Sequence, residues 1–134
     1  MSITVCSGKL HQVRVTGARL DYEGSITLDS ILMEAAGIVP FQLLHINSMA
    51  NATHWETYAI PGAPGKGEVL LNGCPAMLFH KGDQLIILSL EQVERSKAAK
   101  LTQKVVHVDA DNKVVRVEVK KASTPYPRAR ELRR

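Results

Sequence analysis

Apolar and polar residues alternate over short runs along most of this chain, and that period of two predicts a succession of β-strands with few helical turns. Ile3 to Val5 and Lys9 to Thr16 read as the first strands. Strict alternation in the second puts Lys9, His11, Val13 and Val15 on one face, with Leu10, Gln12, Arg14 and Thr16 on the other. Arg19 to Tyr22 leads into a break at Gly24-Ser25, after which Ile26 to Leu28 resumes a strand. Asp29 is placed to cap a helix from Ser30 to Ala36 that buries Ile31, Leu32 and Ala35 or their neighbours and stops at Gly37; Pro40 blocks its continuation.

Phe41 to Met49 and His54 to Ile60 form the next strands, joined by Ala50-Asn51-Ala52-Thr53, and Pro61 to Gly67 is the clearest loop. Glu68 to Leu71 runs into a turn at Asn72-Gly73, Pro75 to Phe79 suits one helical turn, and Lys81-Gly82-Asp83 turns the chain again. Gln84 to Leu90 is the most apolar strand and is expected at the centre. Glu91 to Ala99 has helical composition, and Lys104 to Val108 with Lys113 to Val119 reads as a hairpin around Asp109 to Asn112. The chain carries no useful internal repeat. A mainly β chain of many short strands points to a small closed β-barrel with short helices, since closure removes exposed edges.

At 134 residues and 45% hydrophobic content the chain suits one domain. The longest apolar stretch, Leu85 to Leu90, falls far short of a membrane span, and the N-terminus lacks a basic-then-apolar signal; the expectation is a cytoplasmic protein with no membrane partner. Cys6 and Cys74 are too few for a disulfide framework and read as reduced thiols. The formal charge of +4 is local, because residues 120 to 134 carry +5 and the rest about −1. Residues 121–134 therefore read as a basic, mobile or loosely docked tail, and with Tyr126 as its one aromatic residue no nucleic-acid partner is expected.

The chemistry starts at Gly24-Ser25. Glycine tolerates the backbone geometry that brings a neighbouring hydroxyl against its carbonyl, which permits an N-to-O acyl shift. β-Elimination of the ester leaves dehydroalanine at position 25, and hydrolysis gives a pyruvoyl group, a ketone able to accept electrons. Alone, Gly-Ser is equally an ordinary turn. Four other motifs keep it company: Lys9-Leu10-His11, Tyr22 just upstream, Thr57-Tyr58-Ala59-Ile60, and Asn72-Gly73.

In this order and spacing, over residues 1 to 120, the chain resembles the pyruvoyl-dependent aspartate 1-decarboxylases, which make β-alanine for pantothenate synthesis. The resemblance implies a double-psi β-barrel over residues 1–120, a homotetramer with sites at subunit interfaces, and autocatalytic cleavage into chains 1–24 and 25–134. It implies a pyruvoyl cofactor derived from Ser25 that condenses with the substrate amine as a Schiff base, with no separate prosthetic group. Tyr58 matches the residue that returns a proton after carbon dioxide leaves. Thr57 matches a group contacting the cleavage-site carbonyl and then the substrate. Lys9 would pair with a substrate carboxylate, and His11 and Tyr22 would support the site. Asn72 and Gly73 would offer an amide and backbone N–H groups to a carboxylate or oxyanion. Some relatives mature unaided and others need an accessory protein, so a maturation factor is a possible partner.

Two departures from the pattern stand out. His54 occupies a position where the family usually has arginine, and an imidazole offers one donor where guanidinium offers a fork, with charge only below about pH 6.5 in its ordinary state. Losing the bidentate contact costs on the order of 1.5–3 kcal/mol of carboxylate affinity. Aspartate therefore competes with another small amino acid, such as glutamate, as the expected substrate. At Gly73-Cys74-Pro75 the family has small alanine-like residues after the glycine; Pro75 removes a backbone donor, and Cys74 reads as an inert packed thiol of the pocket wall.

Other classes fit less well. Ser25 lacks the second glycine of a nucleophile elbow. His11, His45, His54, His80 and His107 are scattered without ligand spacing and neither cysteine has a C-x-x-C partner, so no metal is expected. The non-enzymatic rival is a paralogue that keeps the fold, never cleaves, and acts as a binding module.

Overall fold

The computed structural model describes residues 1 to 123, apart from the side chains of Pro75 and Ala76; the basic tail expected over residues 121–134 lies almost wholly outside the described residues. Nine strands dominate: β1 (Ser2–Arg14), β2 (Gly17–Arg19), β3 (Ser25–Asp29), β4 (Leu43–Ser48), β5 (His54–Gly62), β6 (Val69–Asn72), β7 (Gln84–Glu94), β8 (Thr102–Val108) and β9 (Val114–Lys121). One α-helix, α1 (Ser30–Ala36), and 3₁₀ turns at Cys74–Leu78 and Arg95–Lys100 complete the elements. The strands hydrogen-bond in the order β2-β6-β3-β5-β4-β7-β1-β8-β9. β5 is the hinge of this arrangement, pairing antiparallel with β4 through His54 to Tyr58 and parallel with β3 through Ala59 to Gly62.

The mainly β class and the 109–112 hairpin match the sequence pattern, and β7 lies between β4 and β1 as an inner strand. Other expectations are corrected. β1 is one continuous strand, and its alternation is broken by a bulge between Leu10 and Val13, where Gln12 takes φ of 61°. The extra residue moves Val13 and Val15 to the buried side with Leu10, while Lys9 and His11 stay partly exposed. Glu91 to Glu94 continue β7 because Ser2 to Val5 supply a paired edge, so the helical reading survives only as the turn from Arg95. Phe41 precedes β4 with φ of 69°, and β5 extends into the expected loop as far as Gly62.

Helix α1 has the expected bounds, capped by the Asp29 carboxylate accepting from the Ile31 N–H at 2.8 Å and closed by Gly37 at φ of 74°. It buries Leu32, Met33 and Ala36, whereas Ile31 is 46% exposed. The core then runs through Leu10, Val13, Ile26, Leu28, Leu44, Ile46, Leu71, Leu85 and Ile87, all fully buried.

Two polar residues tie remote segments to this core. Asp29 also accepts from the Gly65 N–H at 3.2 Å and the Gly67 N–H at 2.7 Å, which fastens the 63–67 loop beside the helix start. Burial pushes the Asp29 carboxyl up, but these three backbone donors and the Lys113 charge outweigh it and hold the group below its usual range. Asn112, buried at the hairpin tip, accepts from the Arg14 N–H and donates to the Arg14 and Gly67 carbonyls. Among the described residues no helix is long and apolar enough to cross a membrane.

Candidate active site

Ser25 opens β3, a strand that lies between β5 and β6; the β5 ladder starts one residue later, at Ile26, and Ser25 itself is positioned from the β6 side. It pairs directly with Asn72 at the end of β6. The Asn72 amide donates to the Ser25 Oγ and to the Thr27 Oγ1, each at 3.0 Å, with Ser25 only 2% exposed. Asn72 Oδ1 is buried and has no hydrogen-bond partner among the described residues. Past Asn72 the chain turns sharply at Gly73, with φ of 91°; a Cβ there would lie 2.8 Å from the Gly24 Cα. Only glycine lets these two turns approach so closely.

The Gly73 N–H donates to the Arg19 carbonyl at 2.9 Å, so it is not free for an oxyanion or carboxylate as the sequence reading expected. That bond holds the segment before the Gly24-Ser25 linkage against the end of β6. Arg19 also stacks over the Tyr22 ring at 4.9 Å. Cys74 is exposed, because the 3₁₀ turn starting there points it away from the core, and it is not the packed thiol expected; the Pro75 side chain lies outside the described residues.

A cavity of about 530 Å³ opens over this junction, lined by Arg19, Asp21, Tyr22, Glu23, Ser25, Thr27, Tyr58, Ile60 and Asn72. Tyr58 reaches it because the pleat of β5 turns residues 54, 56 and 58 outward; the neighbouring Thr57 points inward, 7% exposed, and does not line the cavity. Thr27, Arg19 and Asp21 are cavity residues that sequence reasoning missed. A signal for Thr27 existed, since it follows Ser25 by two positions and so shares its face of the strand.

Lys9, His11 and His54 stand apart from this cavity. Lys9 and His11 are on β1, which is separated from β5 by β7 and β4. His11 stacks edge-on against His107 at 5.4 Å. Burial first, then the Lys9 charge and His107, lower its pKa and favour the neutral imidazole.

His54 lies on the exposed side of the β4–β5 hairpin, with its Nδ1 2.7 Å from Asn47 Oδ1 and its Nε2 3.1 Å from Glu56 Oε2. His45 Nε2 approaches the other oxygen of Glu56 at 3.4 Å. His45 and His54, nine positions apart in sequence, are thus brought by strand register to one carboxylate.

Similarity to known proteins agrees with the residues assembled around Ser25. Residues 1–115 match the family model for aspartate decarboxylase. The chain is 41% identical over 120 residues to an aspartate 1-decarboxylase of Carboxydothermus hydrogenoformans, covering 90% of this chain and 94% of that one. It is 42% identical over 118 residues to the Acetivibrio thermocellus aspartate 1-decarboxylase, covering 88% and 94%. With that of Leptospira biflexa it shares 45% over 114 residues, covering 84% and 97%. With the match spanning most of its length and the Gly24-Ser25 junction set against Tyr58 and Asn72, the chain belongs to the aspartate decarboxylase family, a family of carboxy-lyases.

Proposed function

We propose that this protein decarboxylates L-aspartate to β-alanine and carbon dioxide for pantothenate synthesis in the cytoplasm, using a pyruvoyl group made from its own Ser25 by scission after Gly24. The observation that carries this reading is the buried Ser25 hydroxyl, held by Asn72 at the edge of a cavity that also contains Tyr58. The relatives named above are aspartate 1-decarboxylases, which favours aspartate over glutamate despite His54.

The residues present fit a carbonyl group at position 25. Asn72 offers an N–H to the Ser25 side chain and retains an unpartnered Oδ1 beside it, and the cavity leaves room for a small amino acid. When formed, the pyruvoyl group supplies the electron sink that decarboxylation needs.

The chain's own residues do the remainder. Asn72 fixes the side-chain oxygen before and during scission. The Gly73–Arg19 bond holds residues 19 to 24 in place. Tyr58 presents its phenol to the substrate carbon and returns the proton. Lys9 and His54 receive carboxylate charge, with His11, Tyr22 and Thr57 in support. Since Lys9, His11 and His54 do not line the cavity of their own chain, the reading completes each site with a second copy, in a homotetramer of closed double-psi β-barrels. Scission yields chains of residues 1–24 and 25–134, unaided or with an accessory maturation protein.

Denaturing intact-mass measurement, coupled to an assay for β-alanine, tests this. The expected result is two fragments, the larger one reactive toward carbonyl reagents at its blocked N-terminus, and β-alanine formed from aspartate. A chain that stays whole, with no carbonyl after incubation with the required maturation protein, overturns it.

A further inference from the structure

The outward face of the β4–β5 hairpin holds a four-residue polar square. In antiparallel register, His45 lies opposite Glu56 and Asn47 opposite His54, and the two pairs are adjacent on the same face. One ligand atom each from His45, His54 and Glu56 lies within 4.8 Å of the other two. The imidazole rings stand 5.0 Å apart and nearly perpendicular, so both edges converge on one carboxylate.

The hydrogen bonding makes this more than a crowded surface. An Nδ1–H donated to Asn47 Oδ1, 2.7 Å away, is the tautomer that frees Nε2 to act as a ligand atom. His54 Nε2 lies 3.1 Å from Glu56 Oε2. Without a metal an Nε2–H donated to Glu56 satisfies this contact, and a metal ion would take that proton's place. An amide or carboxylate that accepts the far ring N–H is also the usual means of orienting a metal-bound histidine.

The donor spacing suits a metal ion. Bonds of about 2.0–2.2 Å in tetrahedral geometry put the donors about 3.3–3.5 Å apart. His45 and His54 each contact one oxygen of Glu56, at 3.4 and 3.1 Å, and with one donor from each residue the three lie within 4.8 Å of one another, a spacing that side-chain rotation can close around one ion. Two imidazoles and one carboxylate are a borderline donor set suited to Zn²⁺ or Co²⁺, and unsuited to Ca²⁺ or Mg²⁺, which take oxygen shells.

We propose that His45, His54 and Glu56 bind one divalent transition-metal ion per chain, with Asn47 orienting His54. Three protein donors leave at least one coordination position open to solvent or to an anionic oxygen. The same side chain that departs from the family's arginine is thereby part of a cation site. The site does not depend on scission at Ser25 or on decarboxylation.

Titration of the untagged full chain with Co²⁺, followed by its visible absorption and then by Zn²⁺ displacement, tests the proposal without substrate. The expected result is one equivalent bound per chain, the bands lost as Zn²⁺ enters. His45→Ala and Glu56→Gln should each weaken binding more than tenfold, while Asn47→Ala should weaken it about 10- to 100-fold through loss of orientation. His80→Ala and His107→Ala should leave it unchanged. Circular dichroism verifies that each variant is folded, and the conservative His54→Gln serves where an alanine variant is not. The proposal is overturned if Co²⁺ gives no tetrahedral or five-coordinate spectrum, or if binding survives intact in the folded His45→Ala and His54→Gln variants.

Discussion

The cavity around Ser25 and the outer face of the β4–β5 hairpin treat their polar groups in opposite ways. Ser25 is buried against the end of β6, with its hydroxyl held by a buried amide and the preceding segment tied to β6 by the Gly73–Arg19 bond. The His54 side chain is 44% exposed and meets Asn47, Glu56 and the edge-on His45 ring. Burial fixes the hydroxyl in one place, as the proposed attack on the neighbouring carbonyl would require. The exposed face keeps its side chains free to reorganise around whatever meets them. The first region gathers its groups by strand pairing within one chain, whereas the second leaves its groups facing outward.

The sharpest way to break this comparison is Ser25→Ala. It should abolish both scission and decarboxylation while leaving an intact, folded chain by mass and circular dichroism. Tyr58→Phe separates the two events, because the phenol is needed only after the carbonyl exists. Scission should proceed, and kcat should fall about 100- to 10,000-fold, the range of a lost general acid.

His54→Arg, assayed in chelator-treated buffer, probes the exposed face. A guanidinium fork should lower KM for aspartate about tenfold, equivalent to about 1.4 kcal/mol, with kcat little changed. An unchanged KM would remove His54 from the substrate's surroundings.

The smallest effect belongs to Asp29, which supports the cavity from the far end of β3. Its folded pKa lies below the unfolded value near 3.9, so its contribution is present above that pH and is lost as pH falls through the lower folded pKa. Asp29→Asn should therefore lower the melting temperature at neutral pH and flatten its decline in acid, measured by thermal melts from pH 6 to pH 2.

Much of the buried region was legible in the sequence, because its determinants are local. The Asp29 cap, the Gly37 stop and the break at Gly24-Ser25 each depend on neighbours within a few positions. What was hidden depends on partners far along the chain. Alternation in β1 gave no warning of the bulge at Gln12, which is set by register against Leu85 and Ile87 of β7. Glu91 to Glu94 carry helix-forming side chains, yet pairing with Ser2 to Val5 decides their conformation. Asp29 was readable as a cap but not as the anchor of Gly65 and Gly67. The meeting of His45 with Glu56, eleven positions later, is visible only once the hairpin register is known. Thr57 and Tyr58 show the same limit within the site: their motif named both, and the pleat admitted only Tyr58 to the cavity of its own chain.

The placement of β3 between β5 and β6 has a consequence for handling the mature protein. After a cut before Ser25, residues 25 to 28 would stay paired with β6 and residues 26 to 29 with β5, and the short piece would stay wound into the body by the long ladders of β1 with β7 and β8. The two products should co-migrate through every native column as though still one polypeptide, parting only in denaturant.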